Sequence, residues 1–191
     1  DIVSVLAVHF EPLGLYPGKT ASVDLLADGA KIAVPNDATN EARALNLLQD
    51  LGLISLDPSK KETATKLDII SNPKNLDIVE LEAAQLARSL QDVDLAVING
   101  NYATDAGIEL TSALFQEPSF NYVNWSVVKS ADSDKKWLKD VTNAYNSEAF
   151  KKYANETFPS YKYPKIWNTN ITQVTATAGT ATATGEIVAN Q

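Results

Sequence analysis

The sequence has no cysteine, no methionine and a single histidine. Without cysteine there is no disulfide, no thiolate zinc site and no thiol nucleophile. Methionine is absent even from position 1, so the sequence is expected to be a processed product or a piece of a longer protein. Long hydrophobic runs are missing as well: none approaches the roughly 20 residues that a membrane-spanning helix needs. Cations are outnumbered, 16 Lys and Arg against 24 Asp and Glu, for a formal charge of −8. With the lysines dispersed, no basic patch forms for a phosphate backbone, which argues against a nucleic-acid partner. Catalytic signatures are also lacking: there is no Gly-x-Ser-x-Gly elbow, no Walker loop and no pair of histidines. His9 lies in an apolar run and reads as a hydrogen-bonded structural residue. No catalytic group, metal or cofactor is expected.

What the sequence does contain is a core. It is 45% hydrophobic over 191 residues, enough for one domain or two small lobes. Its organising stretch is 30–52, where an apolar strand at Lys31 to Val34 ends at Pro35 and a polar turn leads into a helix. Asn36, Asp37 and Thr39 are N-cap candidates, because a short side-chain oxygen can take a backbone N–H left unpaired in the first helical turn. Ala44, Leu45, Leu47, Leu48 and Leu51 recur at helical spacing, and Gly52 supplies a left-handed stop. Arg43 therefore sits in the opening turns, where the helix dipole mildly disfavours a cation. A small anion placed there would meet backbone N–H groups, Asn36, Asn40 and the guanidinium of Arg43. The competing reading is a plain solvated arginine.

The rest of the chain alternates strand and helix. Asp1 to Phe10 reads as a buried strand, residues 11–18 as a connection with a short extended piece, and Val23 to Leu26 as a short helix ended by Gly29. Asp77 to Leu81 is a strand candidate, Glu82 to Gln91 a helix and Val93 to Ile98 an apolar strand; the alternation predicts a mainly parallel sheet covered by helices. Glu80 and Glu82 read as a solvated edge. Asn99 and Asn101 follow the apolar strand, at the end where open α/β sheets place ligands, although turn chemistry alone also explains them and is the reading that composition favours. Tyr122 to Val128 is β-prone with Asn124 in its middle, a position that calls for a use of the amide. Two helices follow, Asp134 to Tyr145 with Trp137, Leu138, Val141 and Tyr145 facing inward, and Ser147 to Phe158 with Phe150, Tyr153 and Ala154. Thr169 to Gln191 is a threonine- and alanine-rich tail, able to form a hairpin around Gly179 but expected to add little to the core.

Three of these stretches carry a resemblance: Ile32-Ala-Val-Pro-Asn-Asp-Ala-Thr-Asn-Glu-Ala-Arg-Ala-Leu, Asn72-Pro-Lys-Asn-Leu-Asp-Ile-Val-Glu-Leu-Glu-Ala-Ala-Gln-Leu-Ala-Arg-Ser-Leu and Asp92-Val-Asp-Leu-Ala-Val-Ile-Asn-Gly-Asn-Tyr-Ala. Together with Val3 to Tyr16 and Tyr122-Val-Asn, they resemble the NlpA/MetQ family of methionine-binding lipoproteins, in order from Asp1 to about Phe158. The resemblance implies an α/β, periplasmic-binding-protein-like fold, with one complete α/β lobe plus the C-terminal part of the other. Residues 1–16 would be the crossover strand and connection, 17–121 the second lobe, 122–167 the return strand and C-terminal helices of the first, and 168–191 a low-complexity tail. It implies a protein lipid-anchored outside the membrane that binds methionine or a related amino acid or dipeptide by lobe closure, without chemistry. Delivery would be to the permease of an ABC importer. Arg43 then holds the ligand carboxylate, Asn99 and Asn124 hydrogen-bond the ligand, and Asn40 and Asn101 complete the site. An enzyme on the same fold and a surface protein-interaction fragment stay open as other classes. The family's lipid-modified cysteine and early first-lobe elements have no counterpart in the sequence, so self-association or a separate N-terminal segment is expected to cover the faces they would pack on.

Overall fold

The computed structural model describes residues 1–118, 121–164, Trp167 and the backbone of Ile187–Val188. The chain divides into a central unit, Pro12–Pro118, and a terminal unit formed by Asp1–Glu11 and Ser119–Gln191. In chain order the strands are β1 (Ile2–Ala7), β2 (Gly14–Pro17), β3 (Lys31–Pro35), β4 (Ser55–Leu56), β5 (Ile69–Ser71), β6 (Asp77–Leu81), β7 (Leu95–Ile98), β8 (Phe115–Gln116), β9 (Trp125–Lys129), β10 (Tyr163–Pro164) and β11 (Ile187–Val188). The helices are α1 (Ala38–Asp50), α2 (Leu86–Ser89), α3 (Gly100–Asp105), α4 (Lys136–Tyr145) and α5 (Glu148–Thr157).

The central unit is built on one five-stranded sheet, in the order β6-β3-β7-β2-β8. β3 runs parallel to β6 and β7, whereas β2 is antiparallel to both β7 and β8. Every strand but β2 therefore points the same way. The carboxyl ends of β3, β7 and β8 and the amino end of β2 share one edge of the sheet. Leu15, Ile32, Val34, Leu95 and Val97 face one side, packed in a single cluster with Ala44, Leu45, Leu47 and Leu48 of α1. Tyr16, Ala33, Ala96 and Ile98 have the opposite parity and are buried too. Burial on both faces is why these strands read as unbroken apolar runs instead of alternating ones. Of the three cap candidates, Asp37 is the N-cap of α1, its carboxylate accepting the Asn40 N–H at 3.1 Å. Gly52, at φ +71°, turns the chain out of the helix.

The short extended piece expected within residues 11–18 is a buried strand, Gly14–Pro17, inside the sheet, and Leu13 and Leu15 join the main cluster. The prolines and glycines there only punctuate its ends. One expectation for this unit changes: the helix expected over Glu82 to Gln91 is a 3-10 turn, Ala83–Gln85, running into the four residues of α2. A turn follows in which the Ser89 carbonyl accepts the N–H groups of Asp92 and Val93, at 2.8 and 3.1 Å, before the chain enters β7.

In the terminal unit β1 and β9 pair antiparallel, with a register shift between Ser4 and Leu6. The buried strand expected at Asp1 to Phe10 is half-exposed, with Ile2 71% accessible, because among the described residues this two-stranded ribbon is covered only in part. Asn124 is exposed and lies just before β9 instead of within a strand; its N–H donates to the His9 carbonyl and its carbonyl accepts the Val8 N–H, both at 2.8 Å. His9 is hydrogen-bonded to the Glu11 carboxylate at 2.5 Å and stacks on Tyr161, which is a structural role. Within α4 and α5, Leu138 and Ala154 are buried, but Trp137, Val141, Phe150 and Tyr153 are 48%, 51%, 36% and 54% exposed, against the inward facing expected of them. Helical spacing put them on a face that the described residues cover only in part, the Phe150 ring lying 4.9 Å from Tyr145 and 6.1 Å from Trp167. The ends of these helices are held by Trp167, stacked on Tyr163 at 4.7 Å and donating to Asn146, and by the Tyr163 hydroxyl, which donates to the carbonyls of Ala154 and Phe158. β10 pairs antiparallel with the backbone of β11. The remainder of the threonine-rich segment, including any hairpin around Gly179, lies outside the described residues.

Candidate functional site

The shared edge of the central sheet gathers the polar groups. The turn after β3 opens α1 and brings Asp37, Asn40 and Arg43; Asn99 follows β7; Glu117 follows β8; and Leu13 precedes β2. Open α/β sheets bind ligands at this edge because strand ends and helix starts leave backbone and side-chain polar groups there without ladder partners.

The hydrogen bonds among these side chains have one consistent polarity. Both carboxylate oxygens of Asp37 accept from the Asn40 amide nitrogen at 3.0 Å, so the Asn40 carbonyl oxygen must point the other way. That oxygen accepts from Arg43 Nη1 and from Asn99 Nδ2, each at 2.9 Å. A guanidinium can only donate, so the orientation of Asn40 is fixed from both sides. Asn99 is fixed in turn. Its nitrogen is spent on Asn40, and its Oδ1 is left buried with no hydrogen-bond partner. A buried acceptor without a donor is uncommon in a folded protein; among the described residues the Tyr16 hydroxyl and Asn46 Oδ1 share this state.

Arg43 is nearly enclosed, its side chain 10% exposed, against 6% for Glu117. Its Nε donates to Glu117 Oε2 at 3.2 Å and its Nη2 pairs with Oε1, while the Leu13 N–H also donates to Oε1, at 2.9 Å. The alternative reading of a solvated arginine is therefore excluded. Glu117 is the residue that sequence reasoning missed: in the string Gln116-Glu117-Pro118 it reads as loop, and only the placement of β8 beside β2 delivers it to Arg43. Asn101, half-buried in α3, makes no hydrogen bond to Arg43, Asn40 or Asn99. Asn124 belongs to the terminal unit.

The same helix start holds a second acidic feature. Glu41 is 5% exposed, and its carboxylate accepts the Lys66 N–H at 2.9 Å. Burial raises its pKa above the ordinary carboxylate value; the Lys66 N–H opposes this, and nearby Glu80, itself paired with Lys66, adds to it. Glu80, on the edge strand β6, is part of a partly exposed ion pair, and Glu82 is exposed. Among the described residues no group of three or more acidic or histidine side chains could hold a metal ion, and no helix is long and apolar enough to cross a membrane.

Residues 1–167 match the family model described as NlpA lipoprotein. The chain belongs to the NlpA lipoprotein family. The D-methionine-binding lipoprotein MetQ of Salmonella typhi is 44% identical over 161 residues, which are 82% of this chain and 59% of that protein. This NlpA-family chain thus spans about three fifths of the length of the curated relatives it matches. Among solved structures, a nutrient binding protein from Burkholderia cenocepacia bound to methionine is similar at a TM-score of 0.77 and 44% identity, over 83% of this chain and 68% of that one. A periplasmic substrate-binding protein of an ABC transporter from Coxiella burnetii gives a TM-score of 0.75 at 46% identity, over 82% of this chain and 67% of that one. The α/β fold is that of periplasmic substrate-binding proteins, and relatives named in this way are binding proteins and not enzymes.

Proposed function

We propose that this NlpA-family chain binds methionine or a closely related amino acid or dipeptide outside the cytoplasmic membrane, as part of a lipid-anchored protein, and hands it unchanged to the permease of an ABC importer. The observation that carries the reading is the polarity of the Asp37–Asn40–Arg43–Asn99 network. It sets a guanidinium, the partner of a carboxylate, beside an unpartnered buried carbonyl oxygen, the partner of an ammonium. Both side chains are tied to the one Asn40 oxygen, Arg43 by its Nη1 and Asn99 by its Nδ2, each at 2.9 Å. An α-amino acid carries its two charged groups on a single carbon and suits two such partners held by one residue. Asn101 and Asn124 complete the ligand set by the family resemblance.

The test is calorimetric titration of the complete gene product with L- and D-methionine. Arg43→Ala is expected to cost about 2–5 kcal/mol of binding, roughly a thirty-fold to several-thousand-fold loss. Asn99→Ala is expected to weaken binding by about tenfold, as one hydrogen bond to a charged group is lost. Dissociation constants that do not change in either variant would remove the network from the site.

A further inference from the structure

We propose that Glu117 is the positioning residue for Arg43: it grips the Nε–Nη2 edge of the guanidinium permanently, so that the ligand carboxylate meets a fork whose plane is already set. This rests on the amino-acid-binding reading above and extends it to a residue outside the expected site. The guanidinium is a flat fork, and a carboxylate can grip it side-on through Nε and Nη2 or end-on through the two Nη atoms. Glu117 takes the side-on position, with Nε to Oε2 at 3.2 Å and Nη2 on Oε1. Asn40 takes Nη1 at 2.9 Å. With the ring of contacts set on both flanks, the plane of the fork is fixed before any ligand arrives.

The opposite arrangement would make Glu117 a stand-in that the ligand carboxylate displaces. Its surroundings argue against that. The Glu117 carboxylate also accepts the Leu13 N–H at 2.9 Å, and the Glu117 N–H donates to the Leu13 carbonyl at 2.9 Å, so side chain and main chain are both bound to the same residue beside β2. Displacing the carboxylate would leave a 6% exposed charge unpaired and strand a backbone donor as well. Glu117 therefore stays, and its effect is pre-organisation. A long arginine side chain held in place loses less rotamer freedom when the ligand binds.

The experiment follows the Arg43 Nε–H resonance by NMR, assigned through its loss in Arg43→Lys, together with calorimetry. In the unsubstituted protein the Nε–H signal is expected to be slow in exchange and to keep its position when methionine is added, because its acceptor does not change. Movement of that signal to a new position on saturation would overturn the proposal in favour of displacement. Glu117→Gln is expected to lose the slow Nε–H signal and weaken methionine binding at least tenfold. Added to Arg43→Ala it should cause no further loss, since it acts only through Arg43. Equal or tighter binding by Glu117→Gln, or losses that add in the double variant, would also overturn it. The titration of the unsubstituted protein does not depend on whether any variant folds. Failure of the amino-acid-binding reading has a different signature: a flat methionine titration of the unsubstituted protein, with the Arg43 signal still slow there and lost in Glu117→Gln.

Discussion

Removing Arg43 tests the structure before it tests function. On a solvated arginine, truncation to alanine is nearly neutral for stability. Here the Arg43 and Glu117 side chains are 10% and 6% exposed, and Arg43 supplies two of the three hydrogen bonds that reach the Glu117 carboxylate. In Arg43→Ala that carboxylate keeps only the Leu13 N–H and remains buried with its charge uncompensated. Breaking a buried pair in this way costs about 3–5 kcal/mol, most of it the desolvation of the partner left behind. For a unit of roughly 100 residues, each kcal/mol lowers Tm by about 4 °C or more, so the central unit should melt at least roughly 10 °C lower. The same argument predicts a rescue. Adding Glu117→Gln discharges the stranded group, and the double variant should recover at least about half of the lost stability even though it has fewer native contacts. Differential scanning calorimetry of the four proteins reads this directly. A drop of less than about 3 °C in Arg43→Ala, or a double variant no more stable than the single one, would show that the pair is not buried as described.

Three further outcomes are expected. Because the Glu41 pKa is raised in the folded state, the folded protein binds that proton more tightly than the unfolded chain, so its contribution is most favourable below the ordinary carboxylate pKa and declines as pH climbs through the raised value. Glu41→Gln should flatten that decline; identical urea midpoints for both proteins at pH 4.5 and pH 7 would sink the argument. Gly18→Ala should destabilise the central unit by about 1–3 kcal/mol or more, since an added Cβ would stand 2.4 Å from the Val93 carbonyl oxygen and 2.5 Å from that of Leu90, backbone atoms with little room to yield; an unchanged denaturant midpoint would contradict it. The exposed face with Trp137, Val141 and Tyr153 should make the isolated 191-residue chain self-associate, and Trp137→Glu should reduce this. Light scattering that finds a monomer at all concentrations would refute it.

Local chemistry was enough for part of this protein. An apolar run, a proline stop, Asp37 within capping distance, leucines at helical spacing and Gly52 at the end specify β3, the turn and α1 wherever they occur, because each depends on neighbours within a few residues. The same holds for Asn99, whose place after an apolar strand set it at the carboxyl end of the parallel strands. The ordered motifs from Asp1 to about Phe158 likewise carried the family. What the chain alone could not decide depends on distant segments meeting. The reversal of β2 comes from its pairing with β7 and β8, some 80 to 100 residues away. The short α2 gives way to a turn that leads into the sheet, and the exposure of Trp137 and Val141 comes from what does or does not lie against their helix. Glu117 is the plainest case: a glutamate before a proline has no local mark of burial, and it becomes the partner of Arg43, 74 positions earlier, only when β8 closes the edge of the sheet. Hydrogen-bond polarity is tertiary in the same sense. Asn99 could present either end of its amide to solvent until Asp37, through Asn40, left its oxygen as the end without a partner.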